Sequence, residues 1–287
     1  MPSQNIQWFP GHMAKTRRLI TENLKNVDAV IELLDARIPL SSRNPEIIKL
    51  TENKPKIILL NKSSLADPKM TAKWIAEYSN DNTVCIETDC ITGYGLNKIA
   101  PAIRKLCHEK LERYEDKGMS GRMLKAMVLG IPNVGKSSLI NKICGNKKAK
   151  VENRPGVTLD KQWVATNIGI LLLDMPGILW PKFEDKTIGE NLAITGAIKD
   201  DILDIETIAC ALCNRLRHLY PELLESRYKL GDSSSYSELS DYDLLSLIGK
   251  KRGFLVSGGE INTERTSNML IDEFRSAKIG KITLDKI

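Results

Sequence analysis

The run Gly130-Ile-Pro-Asn-Val-Gly-Lys-Ser137 has the residue types and spacing to hold a chain of phosphates. Gly130 and Gly135 let backbone amides converge on phosphate oxygens, and a helix starting near Lys136 adds its N-terminal dipole. Lys136 would neutralise the β- and γ-phosphates during catalysis, and Ser137 would ligate Mg²⁺. Asn133, Val134, Gly135 and Ser138 complete the nucleotide cradle. Farther along, Asp174-Met-Pro-Gly177 ends an apolar run. Asp174 suits a magnesium carboxylate acting through water, and the Gly177 amide suits a γ-phosphate sensor. Thr158 lies in the segment between them, where its hydroxyl could complete the magnesium shell and assist catalysis. Asn61-Lys62 follows the apolar stretch 56–60 and suits a purine, the asparagine reaching the base and the lysine stem covering the ring.

Two positions depart from the usual guanine-nucleotide pattern. The guanine-specifying motif is Asn-Lys-x-Asp, and this chain reads Asn61-Lys-Ser-Ser64. An aspartate accepts two hydrogen bonds from guanine, and bonds to charged groups are worth about 1.5–3 kcal/mol each. With Ser64 there, guanine preference is expected to be weakened, and Asp67, one helical turn on, is the nearby candidate carboxylate to reach in. The loop from Thr88 to Thr92 occupies the place from which backbone usually touches the base. The second departure is Ile178, directly after Gly177, where many regulatory GTPases place a glutamine to orient the attacking water. Intrinsic hydrolysis should therefore be slow. Asn133 could also coordinate a monovalent cation such as K⁺ between the phosphates.

These motifs need strand ends and helix starts to position them. Strands are expected at about 29–34, 56–60, 84–88, 123–129, 161–166 and 169–173, with helices over 14–26, 45–52, 68–79 and 96–115 and from 136 onward. That alternation predicts an α/β fold, a mostly parallel doubly wound sheet of six strands. The base motif precedes the phosphate loop, the reverse of the common order, so the domain reads as circularly permuted. The old termini join between the 96–115 helix and the 123–129 strand, which costs no core contact because domain termini often lie close together. Past residue 200 the pattern becomes helical, near 204–220, 221–229, 238–250 and 263–277. At 287 residues there is room for a nucleotide-binding domain, 1–200, and a small all-helical one, 201–287.

Hydrophobic content of 42% with 27% charged supports a folded core and argues against wholesale disorder. No apolar run is long enough for a membrane span, and the first residues do not read as a secretory signal, so a cytoplasmic, monomeric protein is expected. Cys210 and Cys213 form a lone Cys-x-x-Cys, which reads as one turn of helix because no second half of a zinc site accompanies it. The net charge of +6 is clustered at Lys15, Arg17 and Arg18, at Lys147, Lys148, Lys150 and Arg154, and at Lys250, Lys251 and Arg252. Each cluster alone reads as a solvated face, and the three together are compatible with RNA.

Trp8-Phe-Pro-Gly-His-Met-Ala-Lys15, Asp35-Ala-Arg-Ile-Pro39, the phosphate loop, Pro176-Gly-Ile-Leu-Trp-Pro-Lys-Phe-Glu-Asp185 and Thr195-Gly-Ala-Ile-Lys199 together closely resemble the ribosome biogenesis GTPase A family, also called YlqF or RbgA. The resemblance runs along essentially the whole chain, and Ser64 is where it departs from the family's usual aspartate. It implies a circularly permuted P-loop GTPase using GTP and Mg²⁺, with K⁺ stimulation, that binds the late precursor of the large ribosomal subunit and its rRNA. It also implies that His12 assists hydrolysis once the ribosome orders the N-terminus. Two other readings stay open from the residues themselves. One is a small-molecule kinase sharing the phosphate loop, and the other a nucleotide-gated RNA-binding scaffold with relaxed base specificity and incidental turnover.

Overall fold

The computed structural model describes residues 10–119, 121–145, 162–180, 183, 185–198, 200 and 204–287, with only the backbone course for 10–13, 162 and 233. Six strands form one sheet in the order β3-β2-β1-β4-β6-β5. They are β1 (Ala29–Asp35), β2 (Lys56–Asn61), β3 (Thr83–Glu87), β4 (Leu124–Gly130), β5 (Gln162–Ala165) and β6 (Ile170–Asp174). All pairings are parallel except β5 with β6, which is antiparallel at the edge. Every residue of β1 and of β2 is buried. Continuous aliphatic runs such as these belong in strands covered on both faces.

On the faces lie α1 (Pro10–Leu24), α2 (Pro45–Leu50), α3 (Pro68–Tyr78), α4 (Ile99–Leu106), α5 (His108–Asp116) and α6 (Lys136–Cys144). Local chemistry starts several helices where the sequence suggests. Asp67 caps α3 through the amides of Lys69 and Met70, with Pro68 at the first helical position. The single helix expected over 96–115 is divided. A 3₁₀ turn at Leu96–Lys98 leads into α4, and Cys107 leaves helical geometry before α5 begins. Ile99, Ile103 and Cys107 belong to the core, whereas α5 buries no residue, so the break falls where the apolar stripe ends.

The remaining helices are α7 (Lys186–Ile194), α8 (Ile205–Leu219), α9 (Pro221–Tyr228), α10 (Asp241–Lys251) and α11 (Thr263–Arg275). α8 packs against α7, α9, α10 and α11. Cys213 is fully buried in α8 and Cys210 half-buried, and among the described residues no group of His, Cys, Asp or Glu is arranged to hold a metal ion. One hydrophobic cluster runs from Ile31 and Leu33 of the sheet through Leu192 of α7 to Leu212, Leu216, Leu270 and Phe274 of the helical region. The final residues return to the sheet side, where the Ile282 amide donates to the Leu65 carbonyl and the Leu284 amide to Arg37. Among the described residues, no helix is long and apolar enough to cross a membrane.

Candidate functional site

Four strand ends meet along one edge of the sheet. Asp35 is in register with Asn61, Leu33 with Gly130, and Val128 with Asp174. β1 and β4 are neighbours from which the chain proceeds in opposite directions across the sheet. Ligands of open parallel sheets bind outside the carboxyl ends of the strands at such a reversal. The phosphate-loop, Asp174 and Asn61-Lys62 motifs are therefore brought together there.

The phosphate loop leaves β4 at Gly130 and re-enters helix at Lys136. Gly135 has φ of +109°, and a Cβ there would run into the Asn61 side chain, so glycine is required both for conformation and for space. The Lys136 ammonium donates to the carbonyls of Gly130 (3.0 Å) and Ile131 (2.9 Å). Burial pushes its pKa down to about 8, opposed by the Asp174 carboxylate. Asp174 is raised by burial, with Lys136 and the Met175 amide pulling it back. Each is thus the other's partial counter-charge, both side chains half-buried beside the loop. Ser137 and Ser138 are exposed at the start of α6. Val134 is buried, and Asn133 stands in the left-handed conformation with its amide donated to the Gly196 carbonyl at 2.9 Å.

Gly177 lies directly against this loop. A Cβ on it would come within 2.9 Å of the Pro132 nitrogen and 3.0 Å of the Lys136 ammonium. The following amide, of Ile178, donates to the Gly130 carbonyl at 3.2 Å. The Ile178 side chain turns inward and joins a cluster with Ile20 of α1, Ile47 of α2, Leu173 and Met175. Trp180 is also buried and meets Phe183 edge to face, as a packing segment would.

At the base end, Asn61 is buried and clamps two loops. Its amide donates to the Val134 carbonyl at 2.7 Å, and its oxygen accepts from the Cys90 amide at 2.9 Å. Lys62 adopts the left-handed conformation and pairs with Asp35 at 2.9 Å. Burial would raise the Asp35 pKa, but Arg37 and Lys62 beside it hold the carboxyl well below the usual range. Arg37 also reaches the Thr195 carbonyl at 3.3 Å and lies over the Phe274 ring at 5.5 Å. Asp67 does not take the place offered by Ser64. Besides capping α3, it accepts from the Tyr220 hydroxyl at 3.1 Å. Asp89, absent from the residues suspected at sequence level, accepts from Ser64 and from the amides of Ile91 (2.9 Å) and Thr92 (3.0 Å). The one signal for it was an acidic residue in the 88–92 loop. A cavity of about 370 Å³ opens here, lined by Arg37, Lys62, Ser64, Asp89, Thr92 and Arg275 among others.

His12 falls on the backbone of α1, but its side chain lies outside the described residues, and Thr158 lies outside them altogether. The donors that remain for a divalent cation are the Ser137 hydroxyl and the Asp174 carboxylate. That small, all-oxygen set fits Mg²⁺, which keeps several waters and takes phosphate oxygens in place of a protein cage.

A family model described as "50S ribosome-binding GTPase" matches residues 125–219. Ribosome biogenesis GTPase A of Bacillus pumilus is 46% identical over 281 residues, covering 98% of both chains. The protein of the same name from Bacillus licheniformis is 47% identical over the same length, again covering 98% of both. GNP-bound YlqF from T. maritima matches with a TM-score of 0.61 over 95% of this chain and 98% of that one. Its 24% identity makes that a likeness of fold. With such identity sustained along nearly its whole length, the chain belongs to the ribosome biogenesis GTPase A family and is a GTP-hydrolysing factor of ribosome assembly.

Proposed function

We propose that the GTPase acts at a late step of large-subunit assembly, binds the subunit precursor through its rRNA, and hydrolyses GTP slowly until the subunit engages it. The observation that carries this reading is the burial of Ile178. A side chain committed to the core directly after the γ-phosphate-sensing glycine leaves that position unable to orient a water. Stimulation must then come from elsewhere, and α1 is the natural route. It carries His12, and its Ile20 packs in the same cluster as Ile178 and Met175, so whatever orders the N-terminus acts on the switch segment.

In this reading Asn61, Lys62, Asn133, Val134, Gly135, Lys136, Ser137, Ser138 and Gly177 bind the nucleotide. Ser137, Asp174 through water, and Thr158 would hold Mg²⁺, which would neutralise charge developing on the phosphates. Lys136 positions and neutralises the phosphate chain, Gly177 senses the γ-phosphate, and His12 aids hydrolysis. Asn133 is proposed to hold K⁺ after leaving the Gly196 carbonyl. Residues 1–200 and 201–287 are taken as the GTPase and rRNA-binding domains of a monomeric, cytoplasmic protein. The test is GTP turnover with and without purified large subunits, in potassium and in sodium. Little turnover alone and strong stimulation by subunits in potassium is expected. Turnover unchanged by subunits would sink the proposal.

A further inference from the structure

Asp35, Asp67 and Asp89 are carboxylates beside the base-side loops, and the first two are already committed. Asp35 is held by Arg37 and Lys62, while Asp67 caps α3 and receives the Tyr220 hydroxyl. Asp89 is different. It is buried, with 5% of its surface exposed, yet it lines the cavity beside Lys62, Ser64 and Thr92. Among the described residues no basic side chain pairs with it. Its charge rests on hydrogen bonds, and although burial opposes ionisation, the bonds from Ser64, Thr92 and Ile91 keep its pKa below the ordinary aspartate value. A carboxylate held ionised by hydrogen bonds alone, on the wall of a ligand-sized cavity, is free to accept from a ligand's donors.

We infer that Ser64 and Asp89 read the guanine edge together, Asp89 supplying from the 88–92 loop the carboxylate that the Asn-Lys-x-Asp pattern places at position 64. The inference rests on the reading of Asn61-Lys62 as the base site. Asn61 itself ties the two loops into one unit by accepting from the Cys90 amide. Acceptor counting favours the pair. A carboxylate has about four lone-pair sites. One oxygen of Asp89 takes the Ile91 and Thr92 amides, and the other takes the Ser64 hydroxyl. That second oxygen keeps one site, and the Ser64 oxygen, having donated its hydrogen, keeps its own lone pairs. Two adjacent acceptors, one of them charged, therefore match guanine's N1–H and exocyclic amine.

Other purines fail on the same edge. Adenine turns an unprotonated ring nitrogen toward the acceptors. Xanthine keeps N1–H but replaces the amine with a carbonyl, setting oxygen against carboxylate. Sites built to hydrogen-bond a donor reject analogues lacking it by large factors. Guanine selectivity thus survives the serine at position 64, because the acid has moved to the partner loop.

The experiment measures equilibrium binding of fluorescent GTP, ATP and XTP to the wild-type protein, Asp89→Asn, Ser64→Asp and the double variant Ser64→Asp/Asp89→Ser, with far-UV circular dichroism as a check on folding. The wild type should prefer GTP. Asp89→Asn keeps an oxygen for the loop amides and turns an amide donor toward the base. Its GTP affinity should fall by roughly 10²-fold and its XTP affinity should rise, so that preference moves toward XTP. Ser64→Asp alone sets two carboxylates side by side and should weaken GTP binding, while the double variant should recover GTP preference. It reads the same pair if Asp89→Asn fails to fold. A wild type that selects GTP together with an Asp89→Asn variant of unchanged GTP-to-XTP ratio overturns the inference and leaves the base site standing. A wild type that binds none of the three overturns the base site as well.

Discussion

Lys136 shows how much of the site's behaviour resides in single side chains. Its ammonium is satisfied by two neutral carbonyls, and burial has brought its pKa down to about 8. A phosphate beside it favours the charged form, so the bound-state pKa lies higher than the free-state one. Below about pH 8 the lysine is protonated in both states and adds no pH dependence. Above that value binding must take up a proton, and affinity should fall by up to about tenfold per pH unit. Titration calorimetry with GDP in buffers of different ionisation enthalpy would detect the proton uptake. A flat affinity from about pH 7 to about pH 9.5 would contradict it. Ile178 is the opposite kind of residue. Its importance is that it is withdrawn from the chemistry, and the switch segment is pinned by its side chain and by its amide on Gly130.

At the scale of elements, the contacts around the motifs are made by segments distant in sequence. Asp285, two residues before the last, accepts from the Ser41 amide at 2.7 Å and hydroxyl at 2.6 Å and from Asn191 at 2.9 Å. The C-terminal tail, the loop after β1 and α7 are thereby joined through one buried carboxylate. Asp285→Ala would leave all three donors without that acceptor inside the protein. Hydrogen bonds to charged groups contribute about 1.5–3 kcal/mol each and do not add fully, so a loss of roughly 2–4 kcal/mol is expected. Urea unfolding would measure it, and a loss under about 0.5 kcal/mol would show that the network is dispensable. Arg275 makes a second junction from α11, donating to the carbonyls of Ala193 and Ile194 and pairing with Asp200. The α7 terminus it holds continues into Gly196, the carbonyl on which Asn133 of the phosphate loop rests.

For the whole molecule, these junctions lie over a continuous apolar core that joins the sheet to the helical region. The parts proposed as two domains should therefore unfold together. The four tryptophans (8, 74, 163 and 180) fall in the first 200 residues, whereas α8 to α11 contribute much of the helical signal. Tryptophan fluorescence and far-UV circular dichroism should give coincident urea transitions, the signature of one cooperative unit. Two separated transitions would mean that the helical region is stable without the sheet. The shared core also has a functional side. The cavity proposed to hold the base is lined from the sheet by Lys62 and Asp89 and from the helical side by Arg275, so the region proposed to meet rRNA borders it directly.

The sequence alone determined what depends on near neighbours. Aliphatic runs made strands, Pro and Asp placed helix starts, glycine spacing made the phosphate loop, and the motif order predicted the permuted sheet. Ile178 could be recognised as unable to orient water from its type. Where a helix breaks was harder to read, since Cys107 marks the end of a buried stripe that only packing against the sheet defines. The identity of the base-reading acid was beyond local reading. Ser64 and Asp89 stand 25 positions apart, and Asp67 was the nearer candidate along the chain. Parallel pairing of β2 with β3 brings the two loops together, while capping of α3 and the Tyr220 hydroxyl engage Asp67. Covalent spacing sets backbone conformation over a few residues. Which side chain faces a cavity is decided by how the sheet and helices close around it.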